Sequence, residues 1–378
     1  MTKISNHELF MNRALELARR GEGLTRPNPP VGAVLVQGGK IIAEGWHKKA
    51  GGPHAEVNCL RAGVRSQGSG VSLANAVLYI TLEPCSTEGR TPPCTDLILE
   101  RGIRRVVIGC KDPNPAHAGR GIRKLRRAGV EVTVGICREE AEALIAPFAK
   151  RMLTGLPYVT LKLGITLDGR IADASGTSRW ITGSPSRKKV QELRRKVDAI
   201  MVGAGTVRAD NPSLLPRPSK GRKPWRVVVG KNIPEESKVL TDEAAERTLV
   251  FLNQKSLIQM HDRHVGLEIS GGVHSESESV FIQSKTSEAF LESILRDLAE
   301  RDVMHVLCEG GGELAGSLIR AGLVDEFVLF MAPSLLGGTG FPMVGKKGWA
   351  LKGMPRLSFQ TLEKCGEDVL IMAVPWEK

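Results

Sequence analysis

Apolar positions along the first part of the chain recur with two different periods, and the changes between them outline its elements. Phe10, Ala14, Leu17 and Ala18 stand at helical spacing behind Ser5 and Glu8, a capping-box pair, and Gly21 ends the pattern. Val31 to Gln37 and Lys40 to Trp46 are apolar runs joined by Gly38-Gly39, which predicts a β-hairpin. A helix opening at His54-Ala55-Glu56 follows, with Val57 and Leu60 on its apolar side, and then a β-rich run from Ala76 to Leu82. Asp96 to Glu100 predicts a helix, Val106 to Gly109 a strand, Ile122 to Ala128 a helix, and Val130 to Ile136 a strand. Alternation of this kind defines an α/β layered sheet.

Glu139 to Leu153 reads as one helical stretch, ended by Gly155 and Pro157, after which a β-rich pattern restarts at Tyr158 to Leu163. The domain boundary is expected there, giving domains of 1–150 and 151–378. The second half alternates again. It predicts helices at Ser186 to Val197, at Ala289 to Arg301 and after Gly312, and strands at Ala199 to Val202, Val227 to Val229, Leu249 to Leu252 and Val303 to Leu307, with further strands closing the chain. Gln254 to Ser284 has weak periodicity and many polar residues and supports no assignment. A length of 378 residues suits two domains, each burying its own core.

Composition narrows the setting. The start of the chain lacks the apolar core of a leader peptide, and no apolar run reaches the length that spans a bilayer, so a soluble cytoplasmic protein without a membrane partner is expected. The seven cysteines have no framework spacing, and Cys59, Cys110, Cys137, Cys308 and Cys365 sit in apolar surroundings as reduced core thiols. The formal charge of +12 suits either nucleic acid or ligands that carry phosphates. Its basic clusters, Arg120 to Arg127, Arg187 to Lys196 and Arg217 to Arg226, have few aromatics among them as stacking platforms, which disfavours nucleic acid.

The first half contains one constellation with specific chemistry. His54, Cys85 and Cys94 supply three zinc-type ligands, and Glu56 supplies a carboxylate two residues after the histidine. A catalytic zinc keeps its fourth position for a water whose pKa falls to about 7. In zinc deaminases acting on nucleobases the glutamate of His-x-Glu is no ligand and moves the protons. The usual Pro-Cys-x-x-Cys is stretched here to Pro84-Cys85, eight residues, then Cys94. A strand end facing a helix start brings such ligands together.

In the second half Gly203-Ala204-Gly205-Thr206, Gly310-Gly311-Gly312 and Gly337-Gly338-Thr339-Gly340 suit either close approach to a phosphate or plain tight turns. Neither a Gly-x-Gly-x-x-Gly fingerprint nor a Walker lysine motif is present. Leu167-Asp168-Gly169-Arg170 with Ser178, Trp180 and Thr182 reads equally as a binding cluster or as a hairpin turn beside a core aromatic.

Asn28-Pro29, His54-Ala55-Glu56, Glu83-Pro84-Cys85, Gly89 to Cys94, Asp112-Pro113-Asn114-Pro115 and Gly119-Arg120-Gly121, in that order, closely resemble the pyrimidine deaminase family of the riboflavin pathway. The stretched cysteine spacing belongs to that family. Leu161-Lys162-Leu163, Thr166 to Arg170, Trp180-Ile181-Thr182, Ala209-Asp210-Asn211-Pro212, Glu309-Gly310-Gly311 and Gly322 to Glu326 resemble its reductase partner. The resemblance spans nearly the whole chain. It implies an α/β protein with a cytidine-deaminase-like three-layer α/β/α domain followed by a dihydrofolate-reductase-like α/β domain, with Zn2+ and NADPH as cofactors, acting on a small phosphorylated pyrimidine and assembling as a homo-oligomer. The competing readings are a zinc-dependent nucleic-acid module and a chain with only one active domain.

Carried over position by position, the resemblance makes Glu56 catalytic, makes His54, Cys85 and Cys94 zinc ligands, and places Asn28, His47 and Arg90 around the first substrate. Gly164, Trp180, Thr206, Asp210 and Gly311 fall on cofactor positions, whereas Ser178, Arg194, Leu214, Arg217 and Glu309 fall on substrate positions. Arg194 and Arg217 suit a phosphate, as planar guanidinium forks do. Lys162 reads as a residue that assists proton transfer or orients the sugar, or as an ordinary exposed strand lysine. Two positions depart from the family: Thr87 stands where many members have histidine, and Gly230 where many have aspartate.

Overall fold

The computed structural model describes residues 6–67, 73–88, 92–218, 222–253, 277–345 and 347–376. The chain divides into two compact units, Met1–Gly155 and Leu156–Lys378. Ser5 of the capping box, Arg90 of the site and most of the stretch without an assignment lie outside the described residues.

The first unit runs α1 (Asn6–Arg19), β1 (Gly32–Gln37), β2 (Lys40–Trp46), α2 (Ala55–Gln67), β3 (Val77–Leu82), α3 (Cys94–Glu100), β4 (Arg105–Cys110), α4 (Arg120–Arg127), β5 (Glu131–Val134), α5 (Arg138–Leu144) and α6 (Ala146–Thr154). Its sheet has the order β2-β1-β3-β4-β5. β1 is antiparallel to β2 and β3, whereas β3, β4 and β5 are parallel. Alternation along the strands divides the core in two. Ala33, Leu35, Leu78 and Ile80 pack with Cys59 and Leu60 of α2, Ile98 of α3 and Leu125 of α4. Val34, Val36, Tyr79 and Val107 face the other way, against Met11, Ala14 and Leu15 of α1 and Ala141 of α5. Three layers, α/β/α, follow directly from the period of two.

One close approach positions the first site. A Cβ on Gly45 would lie 2.3 Å from the Cys59 nitrogen and 2.6 Å from the Ala55 oxygen, so only glycine lets α2 rest on β2 there. Residues 139–153, read from sequence as one helical stretch, are two helices broken at Ile145. Pro147 enters the first turn of α6, where its missing N–H costs nothing, but it prevents α5 from continuing.

The second unit runs β6 (Tyr158–Thr166), β7 (Arg170–Ala172), α7 (Ser184–Lys196), β8 (Ala199–Gly203), α8 (Ala204–Asp210), β9 (Trp225–Val229), α9 (Lys238–Thr241), β10 (Thr248–Asn253), β11 (Glu278–Ile282), α10 (Ser287–Glu300), β12 (His305–Cys308), α11 (Gly312–Arg320), β13 (Glu326–Ala332), β14 (Phe341–Pro342), β15 (Leu357–Cys365) and β16 (Asp368–Pro375). Nine strands form one sheet, in the order β11-β10-β9-β8-β12-β6-β13-β16-β15. The neighbours from β11 to β13 are parallel, while β16 and β15 add an antiparallel edge. Phe290, Ile294 and Leu298 of α10 and Leu318 of α11 bury one face with Leu161, Met201 and Val306. Val207 of α8 and Val239 of α9 bury part of the other, with Ile200, Val202 and Val228.

Candidate active sites

In the first unit, His54 immediately precedes α2, Cys85 follows β3, and Cys94 opens α3. Their donor atoms lie within 4.8 Å of one another. His54 Nδ1 is 3.6 Å from Cys85 Sγ and 3.3 Å from Cys94 Sγ. Zinc bond lengths of about 2.1 Å to nitrogen and 2.3 Å to sulfur, at a tetrahedral angle, separate the two donors by about 3.6 Å. The donor set therefore fits zinc in both chemistry and spacing. Cys85 is pulled below the ordinary thiol range by its hydrogen bond with Cys94, which is itself held protonated by Cys85 and by burial.

Glu56 sits in the first turn of α2 and is 4 % exposed. Burial foremost, then the charge on Cys85, pushes its carboxyl up to about 7, against the opposing pull of His54. His47 is also buried. Its Nδ1 lies 3.0 Å from the Pro53 carbonyl and its Nε2 3.4 Å from Asn28 Nδ2, and burial lowers its pKa. A neutral ring that donates from Nδ1 and accepts at Nε2 satisfies both contacts. Asn28 and His47 thus form a connected pair, and the His47 and His54 ring centroids are 5.5 Å apart. Thr87, the first departure from the family, is exposed.

The role of Glu83 is not visible from its motif. Its buried carboxylate accepts from the backbone nitrogens of Asp112 at 3.2 Å, Gly119 at 2.9 Å and Ile122 at 3.2 Å. One side chain thereby ties the strand end that carries Cys85 to the 112–122 segment. The only signal in the sequence is its place directly before Pro84-Cys85.

In the second unit a cavity of about 1440 Å3 opens at the C-terminal edge of the parallel strands. Gly164, Trp180, Thr206, Asp210 and Gly311 line it, and so do Lys162, Ser178, Arg194, Leu214, Arg217 and Glu309. Sequence positions spread over 150 residues therefore meet in one place. Glu309, at the end of β12, is the polar anchor. Arg194 grips it through two bonds of 2.6 and 2.9 Å, and Lys162 Nζ stands 3.6 Å away. Burial pushes the Glu309 carboxyl up, but Arg194 and Lys162 outweigh it and hold it down at about 2. Lys162 is no exposed strand lysine, since its side chain is 16 % exposed. The Arg194 fork, expected to suit a phosphate, is instead committed to Glu309 and to the Leu215 carbonyl at 3.1 Å. Arg217 is exposed at the cavity.

Gly203 to Thr206, read as a glycine cluster, is the end of β8 running into α8. The helix places Thr206 and Asp210 one turn apart on one face, and Ser178 Oγ donates to Asp210 at 3.0 Å. Trp180 is not a core aromatic: it is 68 % exposed, with the Arg187 guanidinium 4.5 Å from its ring centre. The Asp168 cluster is a turn, and its carboxylate accepts from the Leu336 and Gly337 nitrogens at 3.2 and 2.7 Å. It thus holds the Gly337 to Gly340 loop, which does not line the cavity. Gly230, which does, has φ +115°, so a side chain there is strained.

A zinc donor set beside a buried carboxylate suits a hydrolytic deaminase, and a large cavity at the open edge of a parallel sheet suits the cofactor and substrate of a reductase joined to it. Comparison with known proteins agrees on both halves. Residues 4–110 match the cytidine and deoxycytidylate deaminase zinc-binding region, and residues 157–371 match the RibD C-terminal domain. The riboflavin biosynthesis protein RibD of Bacillus amyloliquefaciens is 43 % identical, covering 97 % of this chain and 96 % of its own. That of Escherichia coli is 39 % identical over 97 % and 99 %. The solved structure of a diaminohydroxyphosphoribosylaminopyrimidine deaminase/5-amino-6-(5-phosphoribosylamino)uracil reductase from Thermotoga maritima superposes with a TM-score of 0.83 at 38 % identity, covering 98 % and 99 % of the two chains. The chain belongs to the RibD family of riboflavin biosynthesis proteins. It is a bifunctional enzyme, a zinc-dependent deaminase and an NADPH-dependent reductase. Among the described residues no helix is long and apolar enough to cross a membrane.

Proposed function

We propose that residues 1–150 replace the 2-amino group of 2,5-diamino-6-(5-phosphoribosylamino)pyrimidin-4-one by oxygen, and that residues 151–378 then reduce the ribosyl side chain of 5-amino-6-(5-phosphoribosylamino)uracil to ribityl. The convergence of His54, Cys85 and Cys94 beside the buried Glu56 carries the first half of this reading. Those three residues hold zinc, which when bound lowers the pKa of a water to about 7. Glu56 would carry one proton of that water to the ring and the other to the leaving amine, so that one water is consumed and one ammonia released. Asn28, His47 and Arg90 hold the pyrimidine.

In the second unit Gly164, Trp180, Thr206, Asp210 and Gly311 would hold NADPH, which when bound would supply the hydride to the sugar carbon C1 of the open-chain imine, protonated on its nitrogen. Lys162, fixed by Glu309, orients the sugar chain, and Ser178, Arg194 and Leu214 complete the substrate wall. Arg217, exposed at the cavity, meets the phosphate. Removing metal with a chelator is expected to abolish ammonia release and leave NADPH oxidation on the deaminated substrate intact, with zinc restoring the first activity. Ammonia release that survives with no bound metal contradicts the reading.

We also read the enzyme as a cytoplasmic homo-oligomer without a nucleic-acid partner. All seven cysteines are free, as suits a reducing compartment. β15 is the outer strand of the nine-stranded sheet, and its Phe359 and Leu362 are 64 % and 61 % exposed. An edge with exposed apolar side chains favours pairing with a second copy. Phe359→Glu is expected to shift the sedimentation of the full chain toward the monomer; an unchanged oligomer removes this edge from consideration.

A further inference from the structure

We propose that the first unit carries a second ligand site, for a phosphate-bearing small molecule, in a basic pocket at the C-terminal edge of β4 and β5. The pocket has a volume of about 440 Å3, within the range of small-molecule sites, about 300–1,000 Å3. Lys111, Arg123, Arg126 and Arg138 line it against a single carboxylate, Glu142. None of the residues assigned to deamination lines it. The run Arg120 to Arg127, which the two activities leave without a role, supplies two of its cations. Arg123 and Arg126 stand three residues apart on α4 and therefore on one face.

Position and rigidity support the assignment as well as charge. β4 and β5 are parallel neighbours, and the pocket lies beyond their carboxyl ends, at Lys111 and Gly135. The walls are preformed. The Gly119 and Ile122 nitrogens are bonded to Glu83, Arg126 donates to the Val132 carbonyl at 2.9 Å, and the Gly135 nitrogen donates to the Ile108 carbonyl at 2.9 Å. Glu142 opposes an anion only weakly, because it is paired with Arg138 at 2.7 Å. Exposed pairs of this kind are worth little and exchange readily with a better partner. Guanidinium forks match phosphate oxygens two at a time, while the half-buried Val134 offers an apolar surface for a ring or sugar.

Calorimetric titration of the zinc-loaded full chain with inorganic pyrophosphate tests the site, at low salt, with NADPH saturating to fill the cofactor side of the reductase cavity and in an Arg217→Gln background to remove its phosphate contact. A binding event is expected whose Kd rises at least about tenfold in the Lys111→Gln/Arg123→Gln double variant. That variant should oxidise NADPH at the wild-type rate, because both residues are exposed and lie in the other unit from the hydride site. Glu142→Gln removes the opposing carboxylate and is expected to tighten binding about threefold or more. An absent binding event, an equal Kd in the double variant, or weaker binding in Glu142→Gln would overturn the proposal. So would a single-stranded oligonucleotide that binds the wild type more tightly than pyrophosphate and depends on the same residues, since the patch would then serve nucleic acid.

Discussion

Glu56→Gln is expected to lower ammonia release by about 10²–10⁴-fold, the usual contribution of a positioned general acid–base group, while bound zinc stays at the wild-type level. The geometry separates the two outcomes. The proposed metal donors, His54, Cys85 and Cys94, converge without help from the glutamate. Glutamine keeps the shape of a side chain that is 4 % exposed, so the start of α2 stays packed. What it loses is the carboxylate to which the proposed mechanism assigns the proton transfers. Burial sets that group apart from an ordinary surface glutamate, since desolvation raises its pKa. NADPH oxidation on the deaminated substrate should persist, because the reductase cavity belongs to the other unit. Metal content, ammonia and NADPH are measured on one preparation. Undiminished ammonia release would remove Glu56 from its role, and lost zinc would make it structural.

How much of this was legible in the sequence depends on how local each feature is. The Gly38-Gly39 hairpin and most of the strand and helix alternation follow from periodicity, because a two-residue turn and one buried stripe need no distant partner. α8 did not, since Gly203-Ala204-Gly205 carries a turn composition and the helix is held by Val207 packing among Ile200, Val202 and Val228. The pairing of β7 with β14 was equally hidden. It joins segments 170 residues apart, held by Asp168 and by Arg170, which donates to the Gly340 carbonyl. The zinc donors were readable because a strand end and two helix starts bring them together within about forty residues. The reductase cavity was not, as its wall follows the spatial order β9-β8-β12-β6, which the chain visits out of sequence. Only resemblance placed those residues together. The role of Glu83 is hidden even within its motif, because its partners are backbone nitrogens and leave no trace in residue type.

Glu309→Gln is expected to reduce NADPH oxidation by at least about 10²-fold in kcat/KM and to leave ammonia release unchanged. Glu309 is the counter-charge of two cations inside the cavity wall, Arg194 at 2.6 Å and Lys162 at 3.6 Å. Removing one partner of a buried ion pair costs about 3–5 kcal/mol, because the remaining charge stays desolvated. Arg194 and Lys162 would turn toward solvent, and the sugar chain would lose the ammonium proposed to orient it. Acid stability supplies a second readout. The folded carboxyl is held at about 2, below its ordinary value of 4.5. Its contribution to stability is therefore fully present above about 4.5 and is lost as pH falls toward about 2. Between those limits the wild-type reductase unit should lose stability more steeply than Glu309→Gln, which has no proton to take up there. Parallel acid-unfolding slopes, or a variant that loses deamination alone, would place the Glu309 charge outside the reductase site.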